Sequence, residues 1–136
     1  MKKNPAFDEL ISCIVNKNNQ EFASILASTS IDLNTKGEKG LTLLHFAAIH
    51  FAVEIGQLLI SKGADINAKD NFGNNALWRA TFESKGRGEF IKLLLKNGAD
   101  RYEKNVSGIS PLDLANTISN YNVKQYFENN TGANHT

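Results

Sequence analysis

Apolar residues fall in short clusters that recur along the chain, and their spacing predicts pairs of helices. Leu58-Leu59-Ile60 and Leu93-Leu94-Leu95 are the densest runs, and Ile25-Leu26 lies 33 residues ahead of Leu58-Leu59. Each run leads into a related turn: Ser30-Ile31-Asp32-Leu33-Asn34, Gly63-Ala64-Asp65-Ile66-Asn67 and Gly98-Ala99-Asp100. A second recurring segment is Gly40-Leu41-Thr42-Leu43-Leu44-His45-Phe46-Ala47-Ala48. It aligns at an offset of 33 with Gly73-Asn74-Asn75-Ala76-Leu77-Trp78-Arg79-Ala80-Thr81, and 35 residues later with Gly108-Ile109-Ser110-Pro111-Leu112-Asp113-Leu114-Ala115. Repetition at this period marks units that cannot bury an apolar face alone and must stack.

The local grammar agrees. Thr42, Asn75 and Ser110 are helix N-caps whose side-chain oxygens can accept from unpaired backbone N–H groups. Pro111 suits the first helical position, and Asn4-Pro5 repeats that order at the chain start. Ala47, Ala48, Ala80 and Ala115 let neighbouring helices approach, while the Leu-rich runs supply a buried ridge on each second helix. Gly63 and Gly98 stop those helices in the left-handed conformation.

These residues resemble the ankyrin repeat, with its Gly-containing turn, a Thr-Pro-Leu-His-x-Ala-Ala first helix, a Leu-rich second helix and a Gly-Ala-Asp turn. The likeness covers residues 37–69 almost in full, 70–104 with substitutions, and 105 to about 130 as a degenerate terminal unit. Residues 1–36 read as an N-terminal capping repeat. The resemblance implies an all-α solenoid of about four stacked helix-turn-helix units with β-turn or hairpin tips and degenerate caps. One domain over 1–130 is expected, with a disordered polar tail at 131–136 after a polar last helix near Asn122–Glu128.

Turning at about 100° per residue, a first helix that buries Leu44, Ala47, Ala48 and Phe51 points Phe46, Ile49 and His50 the other way. The same wheel exposes Arg79, Phe82 and Glu83 in the next unit, and Leu114, Thr117 and Ile118 in the last. Stacked first helices then carry an apolar stripe of the kind that marks a partner surface. Beside it the turn tips carry Glu38, Lys39 and Leu41, then Asn71, Phe72 and Asn74, then Val106, Ser107 and Ile109. A turn tip has no packing reason to hold Phe72, whereas interface cores are rich in aromatic anchors.

In ankyrin arrays the tips and first helices form a concave protein-binding surface, and the resemblance implies the same use here. The expected contact set is Glu38, Lys39, Leu41, Phe46, Ile49, His50, Asn71, Phe72, Asn74, Arg79, Phe82, Glu83, Arg87, Ile109, Leu114 and Ile118. Within it, Phe46, Phe72 and Phe82 are the anchors, and Arg79, Glu38, Lys39 and the 83–88 insertion form a polar rim. Cys13 occupies the outward position equivalent to Phe46, although free cysteines are usually buried.

Composition narrows the function. Fifteen Lys and Arg against fourteen Asp and Glu give a net charge of +1, so no overall field favours nucleic acid or an anionic membrane. The small excess sits in residues 70–104, with seven basic and five acidic side chains, where Arg79, Lys85, Arg87, Lys92 and Lys96 would favour an acidic partner, Lys92 and Lys96 reading first as a solvated helix face. One cysteine in 136 residues makes no internal disulfide and fits a reducing, cytoplasmic setting. The charged N-terminus is not a secretion signal, and no window approaches the ~20 apolar residues of a membrane span.

His45 sits where the motif's ring bonds nearby turn backbone, and His45 and His50 are five apart, not at the i, i+4 spacing of a helical metal pair. No Gly-x-Ser-x-Gly elbow or Cys–His constellation is present, and Asp32, Asp65 and Asp100 recur because the architecture repeats. No enzyme activity, cofactor or metal is therefore expected. Gly86-Arg87-Gly88 lacks the strand and third glycine of a dinucleotide loop, and a phosphate ligand there is the lesser alternative.

The expectation is a module, monomeric on its own, that binds one protein partner as inhibitor or adaptor. Asn-, Lys- and Ile-rich usage points to an AT-rich bacterial source. Small bacterial ankyrin proteins include immunity proteins that neutralise a toxin and, as the alternative, effectors that engage host proteins.

Overall fold

The computed structural model describes residues 5–132. Among these described residues eight α-helices follow in order: α1 Pro5–Asn16, α2 Asn19–Ala27, α3 Leu43–Ile49, α4 Val53–Ser61, α5 Ala76–Glu83, α6 Glu89–Lys96, α7 Pro111–Thr117 and α8 Lys124–Gly132, with one turn of 3-10 helix at Glu38–Gly40 before α3. Helices this short are marginal alone in water, so packing must hold them. Odd-numbered helices stack in one layer, α1 on α3 on α5 on α7, and even-numbered helices stack behind them. Among the described residues there is no strand, and the fold is an all-α repeat solenoid.

The caps are those the grammar predicts. Thr42, Asn75 and Ser110 accept from the N–H of His45, Trp78 and Asp113 respectively. Ser110 and Asp113 form a full capping box, and its hydrogen bonds from Ser110, with help from Lys104, hold the Asp113 carboxyl down at about 2. Gly63 and Gly98 lie at φ of 97° and 89°, and the next N–H in each case bonds back across the turn, Ala64 to Leu59 and Ala99 to Leu94. Helices α1 and α3 close the same way without glycine. Lys17 and Phe51 take φ of 55° and 57° while Asn18 bonds to Cys13 and Ala52 to Ala47. Phe51 thus lies beyond the end of α3, half-buried, and is not part of the helix's buried face.

Between the layers, Leu10, Ile14, Phe22, Leu43, Ile55, Leu59, Leu77, Phe90, Ile91 and Leu94 are fully or almost fully buried. Each side chain of this kind contributes roughly 1.5–3 kcal/mol by leaving water. Gly56 lets α4 approach α6: a Cβ there would stand 2.5 Å from the Phe90 ring. Cys13 joins this core, and burial, aided by Glu21 and Glu9, pushes its thiol up.

Single backbone bonds link successive tips, Asn71 N–H to the Lys39 carbonyl and Val106 N–H to the Phe72 carbonyl. On the turns after the second helices, Asn34 Oδ1 accepts from Asp65 N–H and Asn67 Oδ1 from Asp100 N–H, each at 2.8 Å. At the C-terminal end Val123 and Phe127 are buried, and Arg101 donates to the Phe127 carbonyl. Helix α8 runs two residues past the limit of 130 read from the sequence, and residues 133–136 of the expected tail lie outside the described residues.

Candidate concave-face site

The most developed surface feature on the first-helix side lies between the third and fourth units, and it is built on a buried carboxylate. Asp70 opens the third tip. Its Oδ1 accepts from the N–H of Phe72 and of Asn74, which fixes the turn, and its Oδ2 accepts from Arg79 Nε at 3.0 Å and Nη2 at 2.8 Å. The Asp70 side chain has no exposed surface and that of Arg79 is 17% exposed, so this is a desolvated, charge-assisted pair. Arg79 is therefore committed within the molecule and is not a free cation for an acidic partner.

The anchored guanidinium in turn positions aromatics. Its carbon lies 5.8 Å from the Phe72 ring centroid and 5.9 Å from that of Trp78, and Trp78 stacks on Phe82 with centroids 5.4 Å apart. Across from this row, Val106 and Ile109 rise from the fourth tip, which Asn105 ties to the third by donating from Nδ2 to Asn74 Oδ1. The result is an open groove of about 360 Å³ with a mainly apolar lining. Phe72, Phe82, Val106 and Ile109 are 45%, 58%, 74% and 38% exposed, a concentration of apolar surface that typifies a contact face.

The expected contact residues divide into groups. Phe72, Phe82, Arg79 and Ile109 meet at this groove, Glu38 and Lys39 are exposed on the preceding tip, and Asn71 is exposed beside Phe72 on the third tip. Phe46, Ile49 and His50 on and just after α3, and Leu114 and Ile118 on and just after α7, are half-buried. Two expectations are corrected. Leu41 is 7% exposed and Asn74 4% exposed, because the chain turns inward after the tip glycine to begin the next helix. Asn74 is a strut: its carbonyl accepts from His45 Nε2 at 2.8 Å.

Arg87 and Glu83 do not line the groove. The tip precedes α5 and the insertion follows it, so the two lie at opposite ends of a helix about 12 Å long. Arg87 donates to the carbonyls of Ser84 and Glu83, and its guanidinium lies 3.9 Å from the Phe51 ring centroid, bridging two units. Tyr126 Oη donates to the Gly86 carbonyl and ties the insertion to α8.

Trp78, Asn105 and Val106 belong to the groove but stand outside the contact set read from the sequence. The available signal was Trp78 itself, which occupies the motif's histidine position. In the second unit that histidine, His45, is a lock. Its Nδ1 accepts from Thr42 N–H and its Nε2–H donates to Asn74, so the ring is the neutral Nε2 tautomer, and burial lowers its pKa from the usual value. Trp78 has no such bond: its indole Nε1–H is buried and without a hydrogen-bond partner among the described residues.

A family model described as ankyrin repeats (3 copies) matches residues 10–107. The chain belongs to the ankyrin repeat family. It is 35% identical over 107 residues to the E3 ubiquitin-protein ligase Ufd4 of Drosophila melanogaster, covering 79% of this chain and 4% of that protein. It is 30% identical over 121 residues to the tyrosine-protein kinase HTK16 of Hydra vulgaris, covering 88% and 16%. With protein phosphatase 1 regulatory subunit 27 of Mus musculus it shares 32% identity over 95 residues, 70% of this chain and 60% of the relative. The chain thus spans less than two thirds of each of these relatives. Ankyrin arrays are protein–protein interaction modules, and this chain is one. Among the described residues no helix is long and apolar enough to cross a membrane, and no three metal-ligating side chains cluster.

Proposed function

We propose that this ankyrin array binds a single protein partner through its concave face, with the groove between the third and fourth units as the centre of contact. The observation that carries the reading is the row Phe72, Arg79, Trp78 and Phe82, preorganised by the buried Asp70 and left uncovered. Aromatic groups gathered in a groove make effective anchors for a partner. Glu38, Lys39 and Asn71 on adjacent tips supply the polar rim, and residues 1–130 act as one unit, monomeric alone.

The activity is binding itself, as inhibitor or adaptor in the cytoplasm, without catalysis. A short relative named as a regulatory subunit fits that role. Neutralising a toxin is the specific form we favour, and it requires that co-expression protect cells from a toxin encoded beside this chain. Arg87 spends two of its N–H groups on the Ser84 and Glu83 carbonyls and lies against the Phe51 ring, which keeps a phosphate ligand there the lesser reading.

Affinity capture from the source cell tests the reading. The wild type is compared with a Phe46→Ala, Phe72→Ala, Phe82→Ala variant whose circular dichroism and melting are unchanged. One stoichiometric partner retained by the wild type and lost by the variant is expected. Equal capture by both moves the interface elsewhere.

A further inference from the structure

One residue that lines the groove carries a buried polar group for which the described residues supply no partner. Buried N–H groups in folded proteins almost always have a partner, and those that do not mark a place where something else completes the bond. Trp78 Nε1–H is such a group, and the residue lines the groove. At the equivalent place His45 spends its ring N–H on the next tip's carbonyl, Asn74, at 2.8 Å. The fourth tip is held without help from the Trp78 ring, by the Asn105 amide on Asn74 and the Val106 N–H on Phe72.

We propose that Trp78 donates this N–H to a main-chain carbonyl of an extended, uncharged, apolar segment of the partner protein laid in the groove. The inference rests on the concave-face reading above and names the chemistry of its occupant.

Charge selects an uncharged segment. Arg79 is the one formally charged residue lining the groove, and Asp70 already neutralises it, so a charged ligand would shed its hydration and gain no counter-charge. Shape and bonding select an extended one. A helix with its side chains is about 10–12 Å across, and its interior carbonyls are consumed by its own N–H groups. A groove of about 360 Å³ holds only a few side chains, and an extended strand presents free carbonyls between them. The indole Nε1–H is buried as the structure stands, so Trp78 and the 58% exposed Phe82 stacked on its face shift together as the segment enters and packs on Phe82.

The test uses heptapeptides selected from a phage-displayed random library against the full chain. Because Trp78 is the only tryptophan, the protein gives a single indole N–H cross-peak in a 15N-labelled sample, and that residue alone can be replaced by 3-benzothienylalanine, which puts sulfur in place of N–H. Uncharged apolar peptides are expected, bound non-helically, weakened by Phe82→Ala, and shifting the indole proton downfield. Trp78→Phe and the benzothienyl form should each bind about five- to tenfold more weakly.

Equal affinity of both forms, with an unmoved indole peak and continued sensitivity to Phe82→Ala, overturns the donor while leaving the groove reading intact. Peptides indifferent to Phe82→Ala overturn both. Charged or helical binders, or a library that yields none, overturn the proposed occupant.

Discussion

Replacing Arg79 with alanine removes both guanidinium bonds to Asp70 Oδ2 and leaves a carboxylate with no exposed surface facing a gap. Taking away one member of a buried ion pair costs about 3–5 kcal/mol, because the survivor stays desolvated. Two features place this case at the low end. Oδ1 keeps its bonds from Phe72 and Asn74, and the 17% exposure of Arg79 gives water a route to the vacated side. We expect a loss of about 3 kcal/mol. An unfolding entropy near 0.29 kcal/mol/K for 136 residues turns that into a fall of about 10 °C in the midpoint. Adding Asp70→Asn removes the uncompensated charge and should restore about 1 kcal/mol or more. Thermal and urea unfolding followed by circular dichroism and Trp78 fluorescence measure both effects. An Arg79→Ala protein melting within about 2 °C of wild type would show that the pair behaves as a solvated surface contact and would refute the reasoning.

Three further outcomes follow from the packing. His45 is held neutral below the usual imidazole value of about 6.5, so the unfolded state takes up the proton first. Its contribution is complete above that pH and is lost as pH falls through the folded value, at up to about 1.4 kcal/mol per unit. Urea midpoints from pH 8 to 5 should show the slope in wild type and not in His45→Gln, and equal slopes would contradict it. Gly56→Ala gains ~0.5–1 kcal/mol of helix propensity but drives a methyl into Phe90, so a net loss of about 1–2 kcal/mol is expected by denaturation, and a gain would show that the ring yields freely. Lys17→Gly relieves an exposed left-handed residue at φ 55° and should stabilise by about 0.5–1 kcal/mol, whereas a loss would mean that the lysine's lower unfolded-state entropy outweighs the strain.

The repeat framework was legible because each of its signals is local. Thr42, Asn75 and Ser110 cap helices, and Gly63 and Gly98 end them, through bonds to residues a few positions away, so spacing alone carries the information. The exposure of Phe72 and Phe82 was legible for a related reason: Phe72 stands on a turn tip that offers no burial, and the 100° turn of the helix points Phe82 away from the buried face. Long-range partners were not legible. Nothing in the sequence shows that Arg79 turns back to Asp70, or that Arg87 folds onto Phe51 at the far end of α5. Leu41 and Asn74 were misplaced because the tip reverses within two residues of its glycine, a step that helical periodicity does not describe. Trp78 was visible as a substitution, but its unused N–H emerges only once His45 shows what that position normally does.

The central claim, that the concave groove is where a protein partner sits, is tested most directly by photocrosslinking in the source cell. One protein carries p-benzoylphenylalanine in place of Phe72 in the groove, and another carries it in place of Gln57, exposed on the opposite layer in α4. The account predicts a single crosslinked protein from position 72 and none from position 57. A specific crosslink from position 57, with position 72 silent, would contradict it.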